Sequence, residues 1–324
     1  MMLKPRYSLL KMLLMCMVVL SGASHAQPFP SKVVRIVTIE PGGGTDVAAR
    51  LLAQTLSASF GQPVIVENRG GASGIFAVQA VIKSAPDGHT VLFNSGSTWL
   101  LPFLQDNLPY DPVKDLVPIT MAIRQPNVLV VHPSLPAKSV KELIALAKAR
   151  PGQLAYSAGS IGSSTHLSPE LFRAMADIDM LHIAYRGGAA SLNALLGGHV
   201  QVLFTVATAA TAHLKSGRMR ALAVTSAEPS DVFPGLPTIA SSGLPGYESV
   251  ANYAFFAPLG TPEPLIARLN QEIVRALAVP DVKAKFLVSG VETVGSSSTE
   301  LASAIKADMA KWGKIIKNAG LRSN

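Results

Sequence analysis

Short runs of β-branched and other apolar residues alternate along the chain with longer stretches in which apolar residues recur every three or four positions. The short runs predict buried strands and the longer stretches predict amphipathic helices. The predicted strands read VVRIVTI, PVIVEN, TVLFNS, NVLVVHP, LAYSAG, HIAYR, VQVLFTV, MRALAVTS and YAFFAP. This alternation predicts α/β architecture with largely parallel sheets.

Predicted helices follow most of these strands. They cover residues 45–59, 74–84, 139–150, 165–176, 189–196, 209–216, 264–277, 282–289 and 298–318. The apolar face of the first helix is made of Val47, Leu51, Leu52 and Leu56. Ser139, with Glu142 three residues further on, predicts an N-terminal cap for the third helix.

The first 26 residues differ in character from the rest of the chain. Basic residues near the start precede the apolar run Met12 to Leu20, and small residues follow as far as Ala26. This order predicts a signal peptide over residues 1–26, with cleavage after Ala26. The apolar run is too short for a stable anchor, and no later run reaches about 18 apolar residues, so we expect the processed chain to be soluble.

Cys16 is the single cysteine of the chain, and it lies inside the predicted leader. A lipoprotein needs a small residue directly before such a cysteine, whereas this chain has Met15. Cleavage would leave no cysteine, which excludes a disulfide scaffold and a thiol nucleophile. The processed chain must therefore rely on an ordinary hydrophobic core, and it is long enough to build two lobes.

Charge gives only a weak indication of function. The chain has 28 Lys plus Arg against 20 Asp plus Glu, and the basic residues are dispersed. Without a basic stripe interleaved with aromatic residues, nucleic-acid binding is not predicted. A mild positive charge is compatible with anionic solutes, but a surface that is simply rich in lysine explains it as well.

Four loops rich in glycine, serine and threonine follow predicted strands. They are Pro41–Asp46, Asn94–Thr98, Ser157–His166 and Tyr185–Ala189. Glycines allow backbone N–H groups to turn toward a ligand, hydroxyls add donors, and helix N-termini carry a partial positive charge. A single loop of this kind is most simply a capped turn, but two in each half of the chain predict a cleft that closes on a small anion.

Known catalytic motifs are missing from the sequence. It contains no G-x-S-x-G, no P-loop and no H-E-x-x-H, and Val47 replaces the third glycine of a dinucleotide fingerprint. No two histidines beyond the leader are spaced as a helical metal pair. His166 follows the serine-rich loop, where a packing or capping role competes with that of a base. We therefore expect no catalytic residues, no metal and no cofactor.

The loops and their order resemble one known family. The segments are PGGGTDVAARLLA, VENRGGASG, PDGHTVLFNSGS, YSAGSIGSSTHLSPELF, IAYRGGAASLNALLGGHVQVLF, GRMRALAVTS, LPTIASSGLPGYES and FFAPLGTPEPLIARLNQEI. Together they are similar to the extracytoplasmic solute receptors of tripartite tricarboxylate transporters, the Bug family. The resemblance runs from about Phe29 to about Trp312 and rests on the order of the segments.

The resemblance implies a type II periplasmic-binding-protein fold, with two α/β lobes joined by crossover segments and a ligand cleft between them. Its lobes would be residues 27–125 plus 250–324 and residues 126–249. The ligand would be a small organic acid held by backbone N–H groups, hydroxyls and ordered waters. The implied ligand contacts are Gly42, Gly43, Thr45, Asp46, Ser95, Ser157, Ser160, Ser163, Ser164, Thr165, Tyr185 and Thr205.

The resemblance also implies a monomer in the periplasm of a Gram-negative bacterium. It would deliver its acid to the large and small permease subunits of a membrane transporter. An alternative of another class is a sensor that presents its closed form to a membrane histidine kinase. A more remote alternative is a periplasmic hydrolase that pairs a loop serine with His166.

Three positions depart from the family pattern. Glu40 stands directly before the first loop, where an acid must either turn away or select the ligand. Thr205 stands where many members have Asp, which favours a plain carboxylic acid over an amino acid. Asn252-Tyr253 stands where many members have Trp.

Overall fold

A computed structural model describes residues 29–39, 41, 44–159, 162–185, 188–318 and 321. The predicted signal peptide lies outside the described residues, as do Glu40, Gly42, Gly43 and Ser160. The described residues from Lys32 onward form one compact unit. The predicted α/β alternation is confirmed in this unit.

Ten strands are present in the described part of the chain. They are β1 (Val34–Thr38), β2 (Val64–Asn68), β3 (Thr90–Ser95), β4 (Leu116–Val131), β5 (Ala155–Ser157), β6 (Leu181–Ile183), β7 (Val202–Val206), β8 (Arg220–Val224), β9 (Val250–Pro258) and β10 (Glu292–Thr293).

Ten α-helices accompany them in the described residues. They are α1 (Gly44–Phe60), α2 (Ile75–Ile82), α3 (Ser97–Leu104), α4 (Val140–Ala149), α5 (Ser164–Ala176), α6 (Gly188–Leu196), α7 (Ala207–Lys215), α8 (Glu263–Ala278), α9 (Pro280–Val288) and α10 (Ser298–Asn318). A 3₁₀ turn, Ala72–Gly74, precedes α2. None of the helices in the described ranges is long and apolar enough to cross a membrane.

The strands follow the order β2-β1-β3-β9-β4-β7-β5-β6, and β8 and β10 also pair with β4. The outer pairs are parallel, as predicted for strands joined by helices. The expectation of largely parallel sheets is wrong for the middle, where every pair made by β4 or β9 is antiparallel. The physical reason is that β4 and β9 run between the two halves in opposite directions.

Strand β4 belongs to both halves of the sheet. It pairs with β9 from Leu116 to Pro126, and with β7 and β8 from Asn127 to Val131. The fold is thus two α/β lobes, the first built on β1–β3 and β9 and the second on β5–β7, with β4 continuous through both. The predicted lobe limits, 27–125 plus 250–324 and 126–249, remain a prediction.

One hydrophobic core extends across both lobes. It includes Leu92 and Trp99 in the first lobe, Leu129 in β4, and Phe172 and Phe204 in the second. A smaller cluster on the other face of the second lobe surrounds β7 and α6. Because the larger core is continuous through β4, the crossover strands are fixed by buried packing rather than by loops alone.

The predicted apolar face of α1 is only partly correct. Leu52 and Leu56 are buried, together with two alanines, Ala48 and Ala49. Val47, in contrast, is 53 % exposed. The alanines bring the helix close to the sheet, so the buried stripe is narrower than the apolar stripe, and Val47 borders an open pocket.

The predicted cap of α4 is confirmed. The Ser139 hydroxyl accepts a hydrogen bond from the Glu142 backbone N–H at 3.2 Å. The Glu142 carboxylate in turn accepts one from the Lys138 N–H at 2.7 Å. These bonds satisfy donors that the first turn of a helix leaves unpaired.

Candidate ligand-binding site

A polar network holds the start of α1 against the end of β2. The Asp46 carboxylate accepts hydrogen bonds from Arg50 Nε at 3.0 Å and from Asn68 Nδ2 at 2.9 Å. Asn68 Nδ2 also donates to the Ile39 carbonyl at 3.0 Å. Since Asp46 and neighbouring Thr45 are buried, this network fixes the chain on both sides of the first loop and offsets the acid's charge with that of Arg50.

The second loop docks on a crossover strand. The Ser95 N–H donates to Asn94 Oδ1 at 2.8 Å, and the hydroxyls of Ser95 and Ser97 lie 2.9 Å apart. The Gly96 N–H donates to the Asn252 carbonyl at 2.9 Å. The N-terminus of α3 is therefore held at the carboxyl end of β3, beside β9.

Hydroxyl groups crowd the N-terminus of α5. Ser163 caps the helix, because its hydroxyl accepts from the His166 backbone N–H at 3.2 Å, and it lies 3.0 Å from the Thr165 hydroxyl. A Cβ on Gly159 would overlap the Thr165 hydroxyl. The third loop therefore needs glycine there to bring its backbone close to these donors.

Ser157 and Ser164 point to different surroundings. Ser157 is fully buried, and its hydroxyl donates to the Ser191 carbonyl of α6 at 3.3 Å. The Ser164 hydroxyl donates to the side-chain oxygen of Asn127 in β4 at 3.3 Å. In this conformation Ser157 ties β5 to α6, while Ser164 faces the crossover strand.

The remaining predicted contacts lie on the second lobe. Tyr185 is half-buried and packs against the smaller hydrophobic cluster. Thr205 is buried in β7, opposite Val128 of β4. Gly42, Gly43 and Ser160 fall outside the described residues.

The second and third loops approach each other across the lobes. A Cβ on Gly162 would lie 3.1 Å from Leu104 Cδ1 and 3.9 Å from Ser97 Cβ. A small cavity of about 30 Å³ lies there. Its lining includes Gly96, Ser97, Gly162, Ser164, Asn252 and Asp308. This volume holds about one water molecule, so the lobes are nearly in contact at this end of the cleft.

The described residues of the four loops carry dipoles and hydroxyls rather than cations. Their one basic residue, Arg186 of the fourth loop, lies outside the described residues. Four helices, α1, α3, α5 and α6, begin at these loops, and their N-termini carry a partial positive charge. Within the described ranges, no group of three or more His, Cys, Asp or Glu side chains is placed to hold a metal ion. The described residues of these loops thus offer neutral donors to an anion.

His166 is buried behind the third loop rather than beside a serine hydroxyl. Its ring Nδ1 accepts from the Gly162 N–H at 3.3 Å, and burial lowers the pKa of the ring. Glu170 opposes this lowering and His182 adds to it. The Ser163 hydroxyl bonds with the His166 backbone instead of the ring, so this pair has the geometry of a helix cap.

Sequence reasoning missed the polar residues of the crossover strands. Asn127 is buried and donates from Nδ2 to the Ser168 hydroxyl at 3.0 Å, while its Oδ1 accepts from Ser164. Gln125, two residues earlier, is also buried. In the sequence, these two amides flank Pro126 and interrupt an otherwise apolar strand, and this pattern could have identified them.

Asp308 of α10 was also missed. Its carboxylate accepts hydrogen bonds from Trp99 Nε1 at 3.2 Å and from Asn252 Nδ2 at 3.4 Å. Burial raises the pKa of this carboxyl. An acid on a charged surface helix gives no sequence signal that it faces inward.

Comparison with known proteins relates the chain to one group of receptors. The sequence model of a family described as tripartite tricarboxylate transporter family receptor matches residues 48–321. Protein BugT of Bordetella pertussis is 37 % identical over 300 residues, which cover 92 % of this chain and 92 % of BugT.

Solved structures agree with this relationship. An R. palustris protein solved with adipate is 35 % identical and has a TM-score of 0.80, covering 90 % of this chain and 98 % of its own. MatC from Rhodopseudomonas palustris, solved with bound malate, is 29 % identical and has a TM-score of 0.74, covering 89 % of this chain and all (100 %) of its own.

Proposed function

Because the chain belongs to the tripartite tricarboxylate transporter receptor family, we propose that it is a periplasmic receptor that captures a small organic acid between its lobes. It then delivers the acid to the large and small permease subunits of a membrane transporter. Residues 1–26 serve as its export signal. The protein binds and releases its ligand without a catalytic step.

One observation carries the choice of an anionic ligand. Helices α1, α3 and α5 all begin at glycine- and serine-rich loops on the carboxyl ends of strands, where ligands bind in open α/β sheets. The described residues of these loops offer neutral donors, the fourth loop adds the cation Arg186, and the Asp46 charge is already matched by Arg50. Among the described residues of these loops a cation meets no carboxylate other than that of Asp46, whereas a carboxylate meets N–H and O–H groups.

Two related structures support an organic acid as the ligand, since one was solved with adipate and the other with bound malate. The proposed contacts remain those that the resemblance implies, but with different roles. Thr45, Ser95, Ser163, Ser164, Thr165, Tyr185 and Thr205 would contact the acid directly or through water, with backbone N–H groups of Gly42, Gly43 and Ser160. Asp46 and Ser157 would position the loops.

Closure of the lobes provides the mechanism of capture. The third loop of the second lobe contacts α3 of the first lobe through Gly162 and Leu104. An acid that contacts both lobes stabilises this closed arrangement over the open one, because only the closed form completes its contacts.

Native mass spectrometry of the protein isolated from its own periplasm tests this function. We expect a retained carboxylic acid, identified by its mass and restored by adding it to the stripped protein. A retained cationic or uncharged ligand, or failure of acetate, malate, adipate, hexanoate and octanoate all to bind the stripped protein, would contradict the proposal.

A further inference from the structure

A pocket of about 370 Å³ opens beside the N-terminal half of α1. We call it the α1 pocket. Its apolar lining includes Val47, Leu51, Ile123, Val206, Phe286 and Val291. Since one water occupies about 30 Å³ of liquid, this volume has room for on the order of ten non-hydrogen atoms.

The α1 pocket adjoins three of the proposed acid contacts. Val47 lies two residues beyond Thr45 in the first turn of α1. Val206 directly follows Thr205 at the end of β7. The separations are a few ångströms along the backbone. Because adjacent strand side chains and helix side chains two residues apart point in different directions, the backbones of these two contact residues, rather than their side chains, adjoin the pocket.

The third connection is across the sheet. Tyr253 of β9 lines the α1 pocket and is the direct antiparallel partner of Ser95. Side chains that are directly opposite in an antiparallel pair lie on the same face, roughly 5 Å apart. The pocket is therefore continuous with the end of the second loop.

Two polar side chains face this apolar space without a hydrogen-bond partner among the described residues. Gln125 is 6 % exposed and lines the pocket, and its amide makes no hydrogen bond with the described residues. The Tyr253 hydroxyl, whose pKa burial raises to about 12, makes none either. Because Tyr253 pairs with Ile123, two residues before Gln125, both side chains project from one face of the ribbon.

The charges around the α1 pocket argue against a second anion. Neither lysine, arginine nor histidine lines it among the described residues. Arg124, between Ile123 and Gln125, projects to the other face of the strand, where its Nε pairs with the Glu292 carboxylate at 2.9 Å. A second carboxylate in the pocket would lose water without gaining a cation or a helix N-terminus.

We propose that the α1 pocket is a subsite for the body of the bound acid, with Gln125 and Tyr253 hydrogen bonded to an uncharged oxygen at its far end. The ligand class is a monocarboxylic acid whose apolar chain or ring ends in a hydroxyl, carbonyl or ether group. This subsite rests on the proposed capture of an organic acid by the loops and names its chemical class.

Isothermal titration calorimetry with acetate, hexanoate, octanoate, 8-hydroxyoctanoate and octanedioate tests the subsite. We expect affinity to rise up to about fourfold for each methylene that enters the pocket. 8-Hydroxyoctanoate should bind about tenfold more tightly than octanoate, and octanedioate more weakly than octanoate. Equal affinity along the series, or tightest binding of octanedioate, overturns the subsite and leaves the proposed function intact. Binding of none of them overturns the subsite, and it overturns the proposed function as well if malate and adipate also fail to bind.

Substitutions inside and outside the α1 pocket test whether the dependence on chain length arises there. Val47→Trp should fill the pocket from its exposed rim and remove the dependence on chain length. Val113→Trp, at a position 64 % exposed outside the pocket, should leave it unchanged. Tyr253→Phe and Gln125→Leu should each reduce the preference for 8-hydroxyoctanoate over octanoate. If both variants keep the full preference for 8-hydroxyoctanoate, Gln125 and Tyr253 do not bind the oxygen at the far end of the ligand.

Discussion

Gly162 packs directly on Leu104, with only 3.1 Å between the position of a Cβ at Gly162 and Leu104 Cδ1. The glycine has a φ of +79° and lies before α5 in the second lobe, whereas Leu104 closes α3 in the first. No larger residue fits this approach without displacing the leucine. The contact therefore couples the backbone of the third loop to closure of the cleft.

Gly162→Ala should weaken acid binding. The substitution adds both a clash with Leu104 and a left-handed conformation that costs about 1–2 kcal/mol for a residue with a Cβ. Gly217→Ala is the matched control, since Gly217 has a φ of +69° and nothing within 4 Å. Calorimetry should show about tenfold or greater loss of affinity for Gly162→Ala beyond that of the control. Equal losses would mean that backbone strain alone matters.

Arg50→Met should reduce both stability and acid binding. It leaves the buried Asp46 with Asn68 as its remaining side-chain partner among those described, and we expect a loss of about 1–2 kcal/mol in the free energy of unfolding. The control is Arg268→Met, which removes one of two arginines paired with the buried Glu272 and leaves Arg275 as the other partner. This site is far from the loops. Denaturation should show a loss for both variants, whereas calorimetry should show weaker binding for Arg50→Met only. Weaker binding by the control as well would contradict a local role.

Asp308→Asn should stabilise the protein at neutral pH. Burial raises the pKa of Asp308 above that of the unfolded chain. The contribution of this carboxyl to the stability of the protein therefore falls as pH rises from about 4 through its folded pKa. The variant removes this cost, so urea unfolding should show a gain of about 1 kcal/mol near pH 7.5, and little or no gain near pH 4. If the variant is instead less stable near pH 7.5, the ionised Asp308 carboxylate stabilises the protein through its bonds with Trp99 and Asn252.

Acid should destabilise the third loop through His166. Burial lowers the pKa of this ring, and its Nδ1 accepts from the Gly162 N–H. A lowered folded pKa gives stability that is present above the unfolded value of about 6.5 and declines as pH falls below it. His166→Asn keeps an acceptor without a titrating ring, so thermal unfolding should depend less on pH between about 7 and 5. An unchanged pH profile would place the sensitivity elsewhere.

Much of the fold was readable from the sequence because apolar periodicity reports directly on burial. The last helix, Ser298–Asn318, was predicted to its ends, and the Ser139 cap followed from its local chemistry. Strand direction in the middle of the sheet was not readable, since it depends on where β4 and β9 meet in space. Periodicity also could not separate Val47, at the rim of a pocket, from Leu52 in the core, because both are apolar and share a stripe.

The site was only partly predictable for the same reason. Glycine and serine at strand ends mark loops that can bind anions, and four helices begin there. The direction of each hydroxyl depends on tertiary neighbours, so the bond from Ser157 to the Ser191 carbonyl carried no local signal. Gln125 and Asp308 are polar residues whose burial is set by partners distant in sequence.

The donors of the four loops should select a carboxylate over its uncharged amide. Thermal unfolding with pairs of matched acids and amides, such as hexanoate and hexanamide or octanoate and octanamide, measures this directly. At one hundred times the dissociation constant, a bound acid should add about 2.7 kcal/mol to the stability and raise the melting temperature by several degrees. We predict this rise with an acid and little or none with its amide. Equal rises for acid and amide, or no rise with any acid, would contradict the account.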